Sequence, residues 1–103
     1  MASGAGSNFE ALVEACRSGV LAAEVVLLAV NNPGCGAQQR AERLGIPWQL
    51  HDHRAASSRE ALDQGLCRAF QEAEVDLVVM AGWMRIVTEE LIGAFPERLI
   101  NIH

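Results

Sequence analysis

The chain has 103 residues, half of them hydrophobic and a fifth charged, which describes one small globular domain with a core and excludes both a two-domain protein and a disordered segment. A formal net charge of -5 leaves no basic footprint for DNA or RNA, and no apolar run approaches the ~20 residues that span a bilayer. Cys16, Cys35 and Cys67 are widely spaced and form no C-x-x-C, which argues against a disulfide framework or zinc site and, with no secretory signal at the start, for reduced thiols in a cytoplasmic protein.

In chain order, Met1 to Gly6 is small and glycine-rich. Phe9, Leu12, Val13 and Cys16 recur at helical spacing and predict a helix over Ser7–Ser18, stopped by Gly19. Glu24–Val30 is a β-branched and leucine run ending at the turn Asn31-Asn32-Pro33-Gly34, and reads as a strand. Gly36–Leu44 is a short helix closed by Gly45, Trp48–Leu50 a short strand, and His51–Ser58 a polar loop. Ser57 and Glu60 match a capping box that opens a helix running to about Ala73. Val75–Ala81 is an apolar strand interrupted only by Asp76. Gly82 to Val87 is a loop, Thr88 reads as the N-cap of a short helix ending before Pro96, and Leu99–His103 is a last strand.

Strands alternating with helices predict an α/β fold: a Rossmann-like parallel sheet with helices on both faces. Apolar strands such as VVLLAV and LVVMA fit burial on both sides. Ligands of such sheets bind beyond the carboxyl ends of the strands, which directs attention to Ser3–Asn8, Asn31–Gly36, Gly82–Val87 and Asn101–His103.

Ser3-Gly4-Ala5-Gly6-Ser7-Asn8 runs straight into a helix, where free N–H groups and the dipole favour an anion. Phe9 stands where a dinucleotide fingerprint needs its third glycine, and no Walker lysine is present, so the loop suits a single phosphate. Only Met1-Ala2 precede it, where a strand is expected. At the other end Asn101 and His103 alternate onto one side of their strand. An amide that can donate to an oxyanion beside an imidazole that can move a proton suits acyl transfer. Arg59, in the first turn of its helix, is either a solvent-exposed cation or an arm toward a ligand. Trp83, Met84, Ile86 and Val87, with Arg85 among them, either cover core or line a pocket for a flat ligand. His51-Asp52-His53 lacks a third ligand at zinc spacing and reads as a solvated loop.

Taken together, ASGAGSNFEAL (2–12), AVNNPGCGAQQRAERLGIP (29–47), SREALD (58–63), DLVVMAGWMRIVT (76–88) and RLINIH (98–103) resemble the phosphoribosylglycinamide formyltransferase family in order and spacing. The resemblance implies transfer of a formyl group from 10-formyltetrahydrofolate to the amine of phosphoribosylglycinamide, in purine biosynthesis, without metal. It places Gly6, Ser7 and Asn8 at the ribose-phosphate substrate, and Arg59, Met84, Arg85, Ile86, Val87 and Asn101 at the folate. Asn101 and His103 would act on the formyl group, His103 as proton donor. Against the family pattern residues 1–103 read as part of a formyltransferase domain, truncated at both ends: a first apolar strand is absent, and so is a downstream segment carrying an aspartate that pairs with the histidine. The isolated chain is then expected to have low stability and little or no activity. Two other readings stay open. One is a relative of formyltetrahydrofolate hydrolase, which shares the N-I-H strand but needs no phosphate loop. The other is a non-catalytic module that binds a phosphate-bearing ligand.

Overall fold

A computed structural model describes residues 1–102. Its elements are α1 (Ser7–Arg17), β1 (Leu28–Val30), α2 (Gly36–Leu44), β2 (Trp48–Leu50), α3 (Arg59–Glu72), β3 (Val78–Ala81), α4 (Glu89–Ala94) and β4 (Leu99–Ile102). β1 pairs in parallel with β2, Leu28 opposite Trp48, and β3 pairs in parallel with β4, Val78 opposite Leu99.

Met1–Ser3 lie between these two pairs and join them. Ala2 N–H donates to Ala29 and bridges in parallel to Val30. On the other side Met1 donates to Val79, Ala81 N–H to the Met1 carbonyl, and Ser3 N–H to Gly82. That alternation is the hydrogen-bond pattern of a parallel ladder. The order across the sheet is therefore β2, β1, residues 1–3, β3, β4, and the glycine loop leaves from its middle.

Side chains alternate across the sheet and divide the core in two. Met1, Ala29 and Val78 pack with Leu62, Leu66 and Phe70 of α3 and with Leu91 and Phe95 at α4. Ala2, Leu28, Val30 and Ala81 pack with Phe9 and Val13 of α1 and with Ala37 and Ala41 of α2. Helices thus cover both faces. Phe70 and Phe95 meet edge to face, with centroids 6.1 Å apart.

Several boundaries differ from the sequence reading. The strand predicted over Glu24–Val30 is ordered as a ladder only from Leu28, because β2 begins at Trp48 and Glu24–Leu27 run past it without a neighbour. Val75–Leu77 likewise precede the register that starts at Val78; Val75 N–H instead closes α3 by donating to Phe70. The predicted Ser57–Glu60 capping box is not formed. Ser58 is the N-cap, and its hydroxyl accepts from Ala61 N–H at 3.0 Å. Of two adjacent serines, the one that caps is fixed by the register that buries Leu62, Leu66 and Phe70.

Candidate functional site

The carboxyl ends of the parallel strands share one rim, and the chain departs from it at Ser3, Asn31, Gly82 and Ile102. Ser3 ties the rim together. It is 4% exposed, its N–H donates to Gly82 at 3.1 Å, its hydroxyl accepts from Met84 N–H at 2.8 Å, and its carbonyl accepts from Asn32 Nδ2 at 2.8 Å.

The glycine loop that follows has its carbonyls turned toward the protein. Gly4 C=O accepts from Ala37 N–H at 2.9 Å, Ala5 C=O from Arg40 Nε at 2.8 Å, and Gly6 C=O from Glu10 N–H at 2.9 Å. Among the described residues the N–H groups of Gly4, Ala5, Gly6, Ser7 and Asn8 have no partner. A row of unpaired N–H groups at a helix start presents partial positive charge to solvent and accommodates an anion. Ser7 and Asn8 are exposed in the first turn of α1.

The fit of α2 against this loop requires glycine at two places. Gly6 is the N-cap of α1 in the left-handed region, at φ 82°, and a Cβ there would lie 2.5 Å from Ala37 Cα. A Cβ at Gly36 would lie 2.6 Å from the Ala5 carbonyl oxygen. The helices are also clamped electrostatically. Glu10 of α1 accepts from Arg40 at 2.9 Å and pairs with Arg43, both on α2. The hydrogen bond from Arg40, with both guanidinium charges, holds the Glu10 carboxyl below the usual range.

The second rim loop, Gly82–Val87, is fixed at its ends. Met84 is held by Ser3. Thr88, the N-cap of α4, gives both its N–H (2.6 Å) and its hydroxyl (2.8 Å) to Oδ2 of Asp63 on α3, a carboxylate that is 1% exposed. The two readings of the loop's apolar residues divide between them: Trp83 and Val87 pack on the core, whereas Met84 (77% exposed) and Ile86 (63% exposed) project outward. Among the described residues the backbone groups of Arg85, Ile86 and Val87 have no hydrogen-bond partner. Exposed apolar side chains beside unpaired amides form a surface suited to a flat heterocycle with hydrogen-bonding edges.

Asn101 is exposed and pairs in register with Met80, one residue before the Ala81–Ile102 pair that ends beside Gly82. Gly6–Asn8, Met84–Val87 and Asn101 therefore gather at one rim. Arg59 opens α3, exposed, and shares no hydrogen bond with any of them. His103 lies outside the described residues.

The sequence places Ser3, Asn31 and Asn32 at the rim without giving them a role of their own, and gives none to Asp63. Asn31, 1% exposed and directly after β1, lies 3.2 Å from His53 Nδ1 through its Nδ2, so the His51–His53 segment is half-buried and tied to the rim by a partly buried polar contact. Burial also lowers the His51 pKa. Among the described residues no group of three or more His, Cys, Asp or Glu is placed to hold a metal ion, and no helix is long and apolar enough to cross a membrane.

With that geometry in place, comparison with known proteins is direct. The family model for formyl transferase matches residues 1–103. The chain belongs to the formyl transferase family. It is 41% identical over 103 residues to the trifunctional purine biosynthetic protein adenosine-3 of Drosophila melanogaster, covering 98% of this chain and 8% of that protein. It is 35% identical to the chloroplastic phosphoribosylglycinamide formyltransferase of Arabidopsis thaliana, covering 98% of this chain and 35% of that protein. Among solved structures, glycinamide ribonucleotide transformylase 1 from Symbiobacterium toebii superimposes with a TM-score of 0.95 at 36% identity, over 99% of this chain and 48% of that one. The formyl transferase segment thus spans about half of that solved structure and a smaller share of the two curated relatives.

Proposed function

We propose that this chain supplies the substrate-binding rim of a phosphoribosylglycinamide formyltransferase, an enzyme that moves a formyl group from 10-formyltetrahydrofolate to the glycinamide amine. The observation that carries the reading is the glycine loop, whose carbonyls bond inward while its five successive N–H groups, Gly4 to Asn8, are left for an anion. The substrate's phosphate sits there, with Ser7 and Asn8 adding side-chain hydrogen bonds and Gly6 allowing the close approach. The formyl donor lies along Met84–Val87, its ring against the outward apolar side chains and its polar edge on the free backbone groups, and Arg59 reaches toward its anionic portion.

Between the two, the amine attacks the formyl carbon. A new C–N bond forms, the carbon–nitrogen bond to the folate breaks, and the departing nitrogen takes up the proton that the amine gives up. Negative charge grows on the formyl oxygen in between. Asn101, exposed at the rim, donates a hydrogen bond to it, and His103 moves the proton. A cytoplasmic setting is part of the reading, and the three cysteines, all free, fit a reducing compartment.

Separate calorimetric titrations with phosphoribosylglycinamide and with tetrahydrofolate test the reading. Binding of both is expected. Binding of the phosphate ligand alone would leave only a phosphate-binding module, and binding of neither would end the proposal.

A further inference from the structure

Asp63 has no role in the chemistry above, yet it is the most deeply buried charged side chain of the described residues, at 1% exposure. No ion pair among the described residues includes it, and its Oδ1 has no partner. Removing a carboxylate from water is costly, and such groups are ordinarily paired with a cation. Here Oδ2 accepts both the N–H and the hydroxyl of Thr88. A threonine at an N-cap usually turns its oxygen onto its own helix. Thr88 does not, and α4 has no side-chain cap. The pair therefore does little for α4 itself. It fixes where α4 begins relative to α3, and that point is the exit of the Gly82–Val87 loop.

The loop's entry is held separately, by Ser3 on Met84 N–H. Between the two anchors the backbone of Arg85–Val87 is unpaired, and Met84 and Ile86 face outward. Two anchors with free amides between them hold a short span in one shape without using up the groups a ligand would bind.

We propose that Asp63 is a positioning residue for the folate: through Thr88 it sets the shape of the Met84–Val87 segment and so governs folate affinity while leaving the phosphate site unaffected. The inference rests on the folate reading of that segment. The Asp63–Thr88 contact does not touch the glycine loop, which is seated on α2 and joins the folate segment only through Ser3.

The test compares the full chain with Asp63→Ala, Asp63→Asn and Thr88→Val, by hydrogen exchange and by titration with tetrahydrofolate and with phosphoribosylglycinamide. In Asp63→Ala the amide of Thr88, which loses its acceptor, and that of Met84 at the other anchor should exchange faster. Tetrahydrofolate should bind about tenfold more weakly, the size expected for loss of a charge-assisted hydrogen bond. Phosphoribosylglycinamide affinity should stay within about twofold. Asp63→Asn keeps an acceptor oxygen and should restore most of the affinity; Thr88→Val, which removes only the hydroxyl, should fall between and serves where the alanine variant does not fold. Equal weakening of both ligands would reduce Asp63 to a structural residue, and unchanged tetrahydrofolate binding would also overturn the proposal. A parent chain that binds phosphoribosylglycinamide but no folate would instead overturn the folate reading on which it rests.

Discussion

The glycine loop and the Gly82–Val87 loop leave neighbouring positions of one sheet and reach the same rim, but different forces hold them. The first is fixed by fit. Its Gly4 and Ala5 carbonyls bond to α2, and Gly6 and Gly36 leave no room for a methyl group between loop and helix. The second is fixed by two buried polar anchors, Ser3 and Asp63, with an unpaired span between them. A loop held by fit presents a preformed, size-specific site, which suits a compact phosphate. A loop held at both ends keeps one shape while leaving the amides in its middle free, which suits a large flat ligand with a hydrogen-bonding edge. Ser3 belongs to both, because it precedes the first loop and anchors the second.

The largest effect should come from breaking the fit. Gly6→Ala combines a left-handed backbone with a Cβ 2.5 Å from Ala37 Cα. The expected cost is roughly 2–5 kcal/mol of stability, with phosphoribosylglycinamide binding lost. Urea unfolding and titration measure both, and a variant as stable as the parent would show that the loop has slack. Ser3→Ala should come next. It leaves the Met84 N–H without its acceptor, at about 1–3 kcal/mol, and because Ser3 serves both loops it should loosen tetrahydrofolate and phosphoribosylglycinamide together, unlike the Asp63 variants.

Met84→Ala sharpens the comparison from the other side. Its side chain is 77% exposed, so stability should change by no more than about 0.5 kcal/mol. Tetrahydrofolate affinity should fall by about 1–2 kcal/mol, the value of apolar area covered by a ligand. A stability loss without an affinity loss would move Met84 from the ligand surface to the core.

The smallest effect concerns the scaffold beneath both loops. His51 follows β2, donates its N–H to Val30, and has its pKa lowered by burial. The folded chain then holds fewer protons than the unfolded one below the ordinary histidine pKa of about 6.5. The stability from neutral His51 is present above that pH and lost as pH falls toward the folded value. His51→Gln should have a flatter melting profile than the parent between about pH 7.5 and 5.5, with both ligand sites affected alike; parallel profiles would remove His51 from the account.

Much of this was legible in the sequence. The limits of α2 and β2 are those that Gly36, Gly45 and Trp48 predict, and the rim follows from parallel strands. Strand lengths were not legible, because apolar content extends through Glu24–Leu27 and Val75–Leu77, whereas the ladder depends on where a neighbour begins. The sequence places Ser3 at the rim but not its burial or its hold on Met84, since a serine beside glycines reads as loop and both depend on β3 and the loop after it. Asp63 did leave one: with Cys67 and Phe70 it shares the four- and seven-residue spacing of the buried stripe of α3, so a charge stood on an apolar face. Strand alternation suggests a general acyl-transfer role for Asn101 and His103, and helix position a ligand arm for Arg59, but the particular ligands come from the resemblance, since side chains at a rim acquire chemistry only from what binds between them.

The central claim is that the free N–H groups of Gly4–Asn8 receive an anion while Met84–Val87 receives the second ligand. Amide chemical-shift mapping with each ligand in turn tests it most directly. Phosphoribosylglycinamide should shift the amides of Gly4 to Asn8, and tetrahydrofolate those of Met84 to Thr88. Shifts from either ligand centred instead on Val26 and Leu77, at the opposite end of the sheet, would contradict the account.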